Sequence, residues 1–300
     1  MPAEGEIVRV IRADVLGMCF GVRDALAVIE GISEPRAVTI HGQLVHNEIV
    51  QSRLESSGFV LRAERERAQS VPDTHSVLIT AHGISDRERQ RLESAGKRLI
   101  DTTCPLVTRV HRAARDLQSQ GYHVLVIGRR GHVEVNGITE DLDNCDVIES
   151  VEQVVVYQYA RLGIICQTTV TDERAAAIRT VIAERNPTAE IRFIDTVCSP
   201  TKERQTALDR LLERVDAVVV VGGRNSNNTR ELVARCDQKD KPVVHVQDAL
   251  ELQADWFRNF QSVGLTAGTS TLPETIDRVH QALLCIASAP SFSGESIANE

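Results

Sequence analysis

Two phrases of this chain set a cysteine in the same place: Asp101-Thr102-Thr103-Cys104-Pro105 and Asp195-Thr196-Val197-Cys198-Ser199-Pro200. Each follows a short apolar run, Arg98-Leu99-Ile100 in one case and Ile191-Arg192-Phe193-Ile194 in the other, and each precedes a helical pattern. A third cysteine, in Leu16-Gly17-Met18-Cys19-Phe20-Gly21-Val22, stands between the strand-like Ile7-Val8-Arg9-Val10-Ile11 and the helical run Ala25-Leu26-Val28-Ile29. Positions 19, 104 and 198 are 85 and 94 residues apart, which suggests an internal repeat of strand, cysteine turn and helix. Three separated thiolates converging from three units suit an iron-sulfur cluster with one iron left without a protein ligand, and such an iron can activate a substrate oxygen. Zinc draws close Cys-x-x-Cys pairs, and none occurs. Burial as small hydrophobes remains the alternative for these three, and is the reading for Cys145, Cys166, Cys236 and Cys285. A nucleophilic cysteine has less support, because sequence locates neither its base nor an orienting group.

A second chemistry lies in the polar residues that end the apolar runs. His82, in Thr80-Ala81-His82-Gly83, follows one run, and His132 and Glu134, in Gly128-Arg129-Arg130-Gly131-His132-Val133-Glu134, follow another. Gln167-Thr168-Thr169, Gly222 to Asn228 and Thr266-Ala267-Gly268-Thr269-Ser270 occupy like positions, as does His41-Gly42-Gln43-Leu44-Val45-His46-Asn47. Glycine lets a backbone approach a ligand, and Ser, Asn and helix-start N–H groups bind oxyanions. A histidine from 41–46, His82 and His132, with the Ser226/Asn228 and Ser270 turns, make one candidate polar site that fits a diphosphate. Each also has a plainer reading as a hydrogen-bonded structural residue or a simple turn. In an extended segment His132 and Glu134 would face the same way, and a carboxyl beside Gln167 and Thr168 could relay a proton. Considered alone, Glu134 reads as a solvated surface residue.

The elements that must position these groups are Val/Ile-rich runs alternating with helical patterns: 77–80, 124–127, 163–166, 217–221, 243–245 and 263–266. Continuous apolar strands suit sheets covered by helices on both faces, so the expected class is α/β with mainly parallel sheets. The recurring cysteine unit argues for several small sheets over one wide sheet. Three hundred residues with 42% hydrophobic side chains and only ten aromatics leave Val, Ile, Leu and Ala to fill the core. A net charge of −8 without a long basic run argues against nucleic acid as main partner, though not against an anionic substrate. With no apolar stretch of membrane length, no signal-peptide core and seven unpaired-looking cysteines, the expectation is a soluble cytoplasmic protein. The stretch from Ser288 to Glu300 reads as a disordered tail.

Nine ordered motifs from about Val8 to about Leu284 resemble the 4-hydroxy-3-methylbut-2-enyl diphosphate reductase family. They are Gly17-Met18-Cys19-Phe20-Gly21-Val22, Leu44-Val45-His46-Asn47, Ala81-His82-Gly83, Asp101 to Val107, Gly131 to Gly137, Gln167-Thr168-Thr169, Asp195 to Cys198, Asn225 to Asn228, and Thr266 to Ser270. The resemblance implies a trefoil of three α/β domains around a central 4Fe-4S cluster, held by Cys19, Cys104 and Cys198 with one iron free of protein ligands. It implies domains at 21–104, 105–195 and 196–287, the last completed by 1–20. The diphosphate would be held by His46, His82, Ser226, Asn228 and Ser270, with His132 lining the same pocket and Asn227 and Thr168 also at the substrate. Glu134, Thr168 and His132 would serve catalysis, the first two controlling the proton lost with the hydroxyl as water. Two electrons from a ferredoxin or flavodoxin type donor would give isopentenyl and dimethylallyl diphosphate. Met18 stands where Phe is usual, Asn227 where a second Ser is usual, and Thr271-Leu272-Pro273 lengthens the step after Ser270. A paralogue acting on another substrate and a non-enzymatic iron-sulfur redox sensor are the alternatives; the sensor needs no diphosphate site.

Overall fold

A computed structural model describes residues 9–67 and 69–288. In chain order it contains β1 (Arg9–Arg12), α1 (Phe20–Glu30), β2 (Val38–His41), α2 (Glu48–Ser56), β3 (Val60–Arg62), β4 (Ser76–Ile79), α3 (Asp86–Ser94) and β5 (Arg98–Asp101). The middle comprises α4 (Pro105–Ser119), β6 (His123–Ile127), α5 (Val133–Thr139), β7 (Cys145–Ile148), β8 (Arg161–Cys166), α6 (Asp172–Arg185) and β9 (Glu190–Phe193). The remainder is α7 (Ser199–Leu212), β10 (Ala217–Val221), α8 (Asn227–Gln238), β11 (Val243–Val246), β12 (Ser262–Ala267) and α9 (Pro273–Ser288).

The strands form three four-stranded sheets, ordered β3-β2-β4-β5, β7-β6-β8-β9 and β11-β10-β12-β1. Every pairing is parallel. Counted within each unit, the order is second, first, third, fourth in all three, and the fourth strand of the last sheet is β1 from the start of the described chain. In this order the connections leave the first and third strands in opposite directions. The crevice between their carboxyl ends is where an open α/β sheet binds ligands.

Local chemistry explains the elements. The central strands β4, β6 and β10 are buried along their whole length, as continuous Val/Ile/Leu runs between two helix layers require. Helix α4 opens on Pro105, whose fixed φ suits a first turn, and buries the face Val107, Val110, Ala113, Ala114 and Leu117. Fully buried side chains such as Leu117 contribute about 1.5–3 kcal/mol each. The helix after each cysteine covers the next sheet: α1 packs with Val38 and Ile40, α4 with Val124 and Val126, α7 with Val218 and Val220. Division at the cysteines therefore keeps each sheet with its helix, and we propose 21–104, 105–195 and 196–287 with 1–20 as the domain limits.

Three details differ from the sequence reading. Strands β3 and β7 lie outside the runs read as strands: β3 is only Val60-Leu61-Arg62, Asp146 breaks β7, and both are sheet edges whose residues are partly exposed, so burial imposes little pattern on them. Residues 132–134 are not extended: α5 begins there, with His132 as its N-cap. Ser288 closes α9, whereas the rest of the expected tail, 289–300, and the start of the first strand-like run, Ile7 and Val8, lie outside the described residues. Among the described residues no helix is long and apolar enough to cross a membrane.

Candidate active site

Each cysteine is the N-cap of a helix: Cys19 of α1, Cys104 of α4 and Cys198 of α7. Their N–H groups donate to equivalent carbonyls at the ends of the neighbouring third strands, Cys19 to Thr269, Cys104 to Ala81 and Cys198 to Thr168, at 3.0, 3.1 and 3.0 Å. The Asp-Thr-x-Cys phrase has a mechanical meaning. Thr102 Oγ1 donates to Ile79 O and Thr196 Oγ1 to Cys166 O, both at 2.6 Å, while Asp101 and Asp195 accept from the N–H two residues on.

All three cysteines line one cavity, together with His46, His82, His132, Glu134, Thr168, Ser226, Asn227, Asn228 and Ser270. The structure thus brings together the three cysteines, the three histidines 46, 82 and 132, Glu134, Thr168 and the Ser226, Asn227, Asn228 and Ser270 turns, while His41 and Gln167 do not line the cavity. The polar residues come from the ends of first and third strands, the switch-point positions of all three sheets, and the cysteines from the ends of the adjoining fourth strands.

The residues present fit a polynuclear metal cluster. A single ion with tetrahedral bonds of 2.3 Å would draw its sulfurs to about 3.8 Å apart, and the three sulfurs are not all within 4.8 Å of one another. Gly21 leaves the space: a Cβ there would stand 2.6 Å from Cys104 Sγ. Burial pushes the Cys104 thiol up, opposed by the N–H groups of Leu106 and Val107, and burial pushes Cys198 up to about 11. Thiols kept neutral by a dry site become good ligands once a metal displaces their protons, and three helix N-termini then face the negative charge.

On the opposite side, three imidazoles meet. Ring centroids are 4.4 Å apart for His46 and His82, 5.0 Å for His46 and His132, and 5.7 Å for His82 and His132. Burial, aided by Arg129, holds His46 down at about 4, and burial with His46 holds His132 at about 3, so both are neutral at pH 7. His46 Nδ1 donates to Gln43 Oε1 at 2.9 Å, which leaves its Nε2 an acceptor; His132 Nδ1 accepts from Glu134 N, which leaves its Nε2 a donor. His46 Nε2, His82 Nδ1 and Asn228 Nδ2 are buried without a protein partner among the described residues. Such atoms are costly unless a polar ligand meets them.

Glu134 is 2% exposed, and Thr168 gives it two hydrogen bonds: N–H to Oε1 at 2.7 Å and hydroxyl to Oε2 at 2.8 Å. Burial raises its pKa to about 7 against the pull of those donors. A carboxyl poised there exchanges protons at physiological pH. Its surface reading fails because the first turn of α5 points inward, to the end of β8.

Several of the other site residues are held by contacts between different sheets. Ser270 Oγ donates to His46 O at 3.3 Å, Asn47 Nδ2 to Ser270 O at 2.8 Å, and a Cβ on Gly223 would stand 2.4 Å from His46 O. Ser226 caps α8, and Asn228 Oδ1 accepts from Thr269 N at 3.0 Å. Asn227 lines the cavity, but its amide donates to Thr169 Oγ1 at 2.9 Å. His41 turns away, bonded to Glu88 at 2.8 Å, so His46 is the member of its segment that reaches the cavity. Gln43, Asn47 and Thr169 stand inside the quoted motifs but receive no role of their own there, and Thr201, whose hydroxyl lies 3.0 Å from Cys198 Sγ, lies just beyond the Asp195 to Cys198 phrase.

Comparison with known proteins shows the family. The family model described as LytB protein matches residues 10–284. A 4-hydroxy-3-methylbut-2-enyl diphosphate reductase of Aquifex aeolicus (strain VF5) is 32% identical over 281 residues, covering 91% of this chain and 95% of the relative. The enzyme of the same name from Dictyoglomus turgidum (strain DSM 6724 / Z-1310) is 33% identical over 274 residues, 90% of this chain and 94% of its own. Among solved structures, the E-1-hydroxy-2-methyl-but-2-enyl-4-diphosphate reductase from Plasmodium falciparum superposes with a TM-score of 0.84 at 28% identity, covering 96% of this chain and 90% of that one.

Proposed function

This chain belongs to the LytB protein family, and we propose that it is a 4-hydroxy-3-methylbut-2-enyl diphosphate reductase, catalysing a terminal step of isoprenoid precursor synthesis. The observation that carries the reading is the single cavity in which three helix-capping cysteines face a buried carboxyl and a ring of unpartnered imidazole and amide atoms. A redox sensor needs the cysteines alone; that second half of the cavity favours an enzyme with an anionic substrate.

In this reading Cys19, Cys104 and Cys198 would hold a 4Fe-4S cluster, leaving one iron without a protein ligand. When bound, the cluster supplies electrons and a Lewis-acidic iron for an allylic hydroxyl. His46, His82, His132, Ser226, Asn228 and Ser270 bind the diphosphate, and Asn227 steadies the Thr168–Thr169 turn. Glu134 holds the proton that leaves with the hydroxyl. The C–O bond breaks, two electrons and two protons are consumed, and water departs with isopentenyl or dimethylallyl diphosphate. Thr168 orients the carboxyl through both of its donors. The electrons come from a ferredoxin or flavodoxin type protein. The work is done in the cytoplasm, where seven free cysteines stay reduced.

Anaerobic purification tests this directly: iron and sulfide are assayed, and electron paramagnetic resonance is recorded before and after adding the diphosphate. Bound cluster, a spectrum changed by substrate and turnover with reductant are expected. Absence of iron, or a spectrum that ignores the substrate, would overturn the reading.

A further inference from the structure

We propose that Arg204 is a positioning residue of the cysteine centre, fastening the Cys19 turn to the helix that Cys198 caps and placing a buried positive charge between those two turns. The inference rests on the cluster reading above for its electrostatic part only.

The three cysteine turns are equivalent in topology but not in fastening. At Cys104 and Cys198 the threonine two residues before the cysteine closes onto the neighbouring strand, and an aspartate three before it caps the turn. At Cys19 those positions are Gly17 and Leu16, and neither side chain can form a hydrogen bond. Arg204, in the second turn of α7 and 4% exposed, makes up the deficit. Its Nε donates to Gly17 O at 2.8 Å and Nη2 to Met18 O at 3.2 Å, while Nη1 donates to Pro200 O at 2.8 Å. One guanidinium therefore spans the two residues before Cys19 and the second residue after Cys198. From the other side Gly17 N and Cys19 N are held by Ala267 O and Thr269 O.

Charge points the same way. All three hydrogen bonds of Arg204 go to neutral carbonyls, and a buried cation so placed needs negative charge close by. Burial opposes its charge, as does Arg23, while Cys19, Glu203 and Cys198 favour it, and Glu203 is exposed to water. The planar, permanently charged fork suits this double duty in a way a lysine does not.

The test compares Arg204→Gln and Arg204→Lys with the unaltered chain. Hydrogen exchange is followed in the iron-free protein, then iron content and the midpoint potential by electron paramagnetic resonance titration after anaerobic reconstitution. Faster exchange is expected across 15–22 in both variants, with the segments around Cys104 and in the first two sheets unchanged. The potential should fall in Arg204→Gln and hold in Arg204→Lys. Unchanged exchange at 15–22, exchange raised throughout the chain in both variants, or an equal potential shift in both, would overturn the proposal. If the unaltered chain takes up no iron, the cluster reading fails, while the exchange measurement still decides the fastening role.

Discussion

Thr168 spends both of its hydrogen-bond donors on the one carboxyl of Glu134, N–H to Oε1 and Oγ1–H to Oε2. The pair joins the start of α5 to the end of β8, so a proton-bearing group on one element is aimed by a turn on the next. Replacing Glu134 by Gln keeps the shape and removes the exchangeable proton. Iron loading is expected to be unaffected while turnover falls by about 10²–10⁴-fold, the usual worth of a general acid. Assaying iron and product in the same preparation checks this, and retained activity would remove Glu134 from the proton role.

The pH profile should carry the same signature. With its pKa raised to about 7 by burial, Glu134 is protonated below that value and able to give its proton, and it loses that ability as pH rises. Single-turnover rates are expected to decline on the alkaline side of pH 7. Thr168→Val removes one donor that favours the carboxylate, a bond worth about 1.5–3 kcal/mol to a charged acceptor, so the limb should move upward by roughly one unit or more. A limb that moves down, or stays, contradicts the assignment.

Diphosphate binding should take up protons. His46 and His132 are neutral in the free protein at pH 7, since burial holds them at about 4 and about 3. An anion beside them favours imidazolium, so their pKa values rise on binding and affinity weakens with increasing pH, by up to about tenfold per unit for each proton linked. Calorimetry of substrate binding at pH 7.5 in buffers of different ionisation enthalpy measures the uptake. A binding heat independent of buffer would show that the imidazoles stay neutral.

Gly21 tests the cluster without replacing a ligand. A methyl group there would meet Cys104 Sγ at 2.6 Å, closer than such atoms approach, while α1 itself should tolerate or prefer alanine. Gly21→Ala is expected to fold, as judged by circular dichroism, and to lose most of its iron. Full iron loading would mean that the sulfur does not need that space.

Much of this architecture was readable because it is written in local patterns. Fully buried strands such as β6 and β10 must be apolar throughout, and cysteines at strand-to-helix junctions are visible wherever the junction is. The edge strands β3 and β7 escaped because partial exposure relaxes that demand. Glu134 was assigned to the surface if taken alone, since nothing within 131–137 reveals that α5 turns its first residues toward Thr168. Arg204 carried a signal that went unread: it falls on the apolar face of α7, in step with Leu208 and Leu211, where a charged residue needs a reason.

By itself the chain determined the α/β class, the threefold recurrence of the cysteine turn and the residue types available for chemistry, because helix and strand periods, caps and turns act over a few residues. Tertiary structure alone decided the register in which β1 pairs with β12, that the strand ends of three sheets open on one cavity, and that burial makes His46 and His132 neutral and raises the Glu134 carboxyl to about 7. Those outcomes depend on which groups lose water and which partners they meet in exchange, and these partners lie in other sheets, far away along the chain.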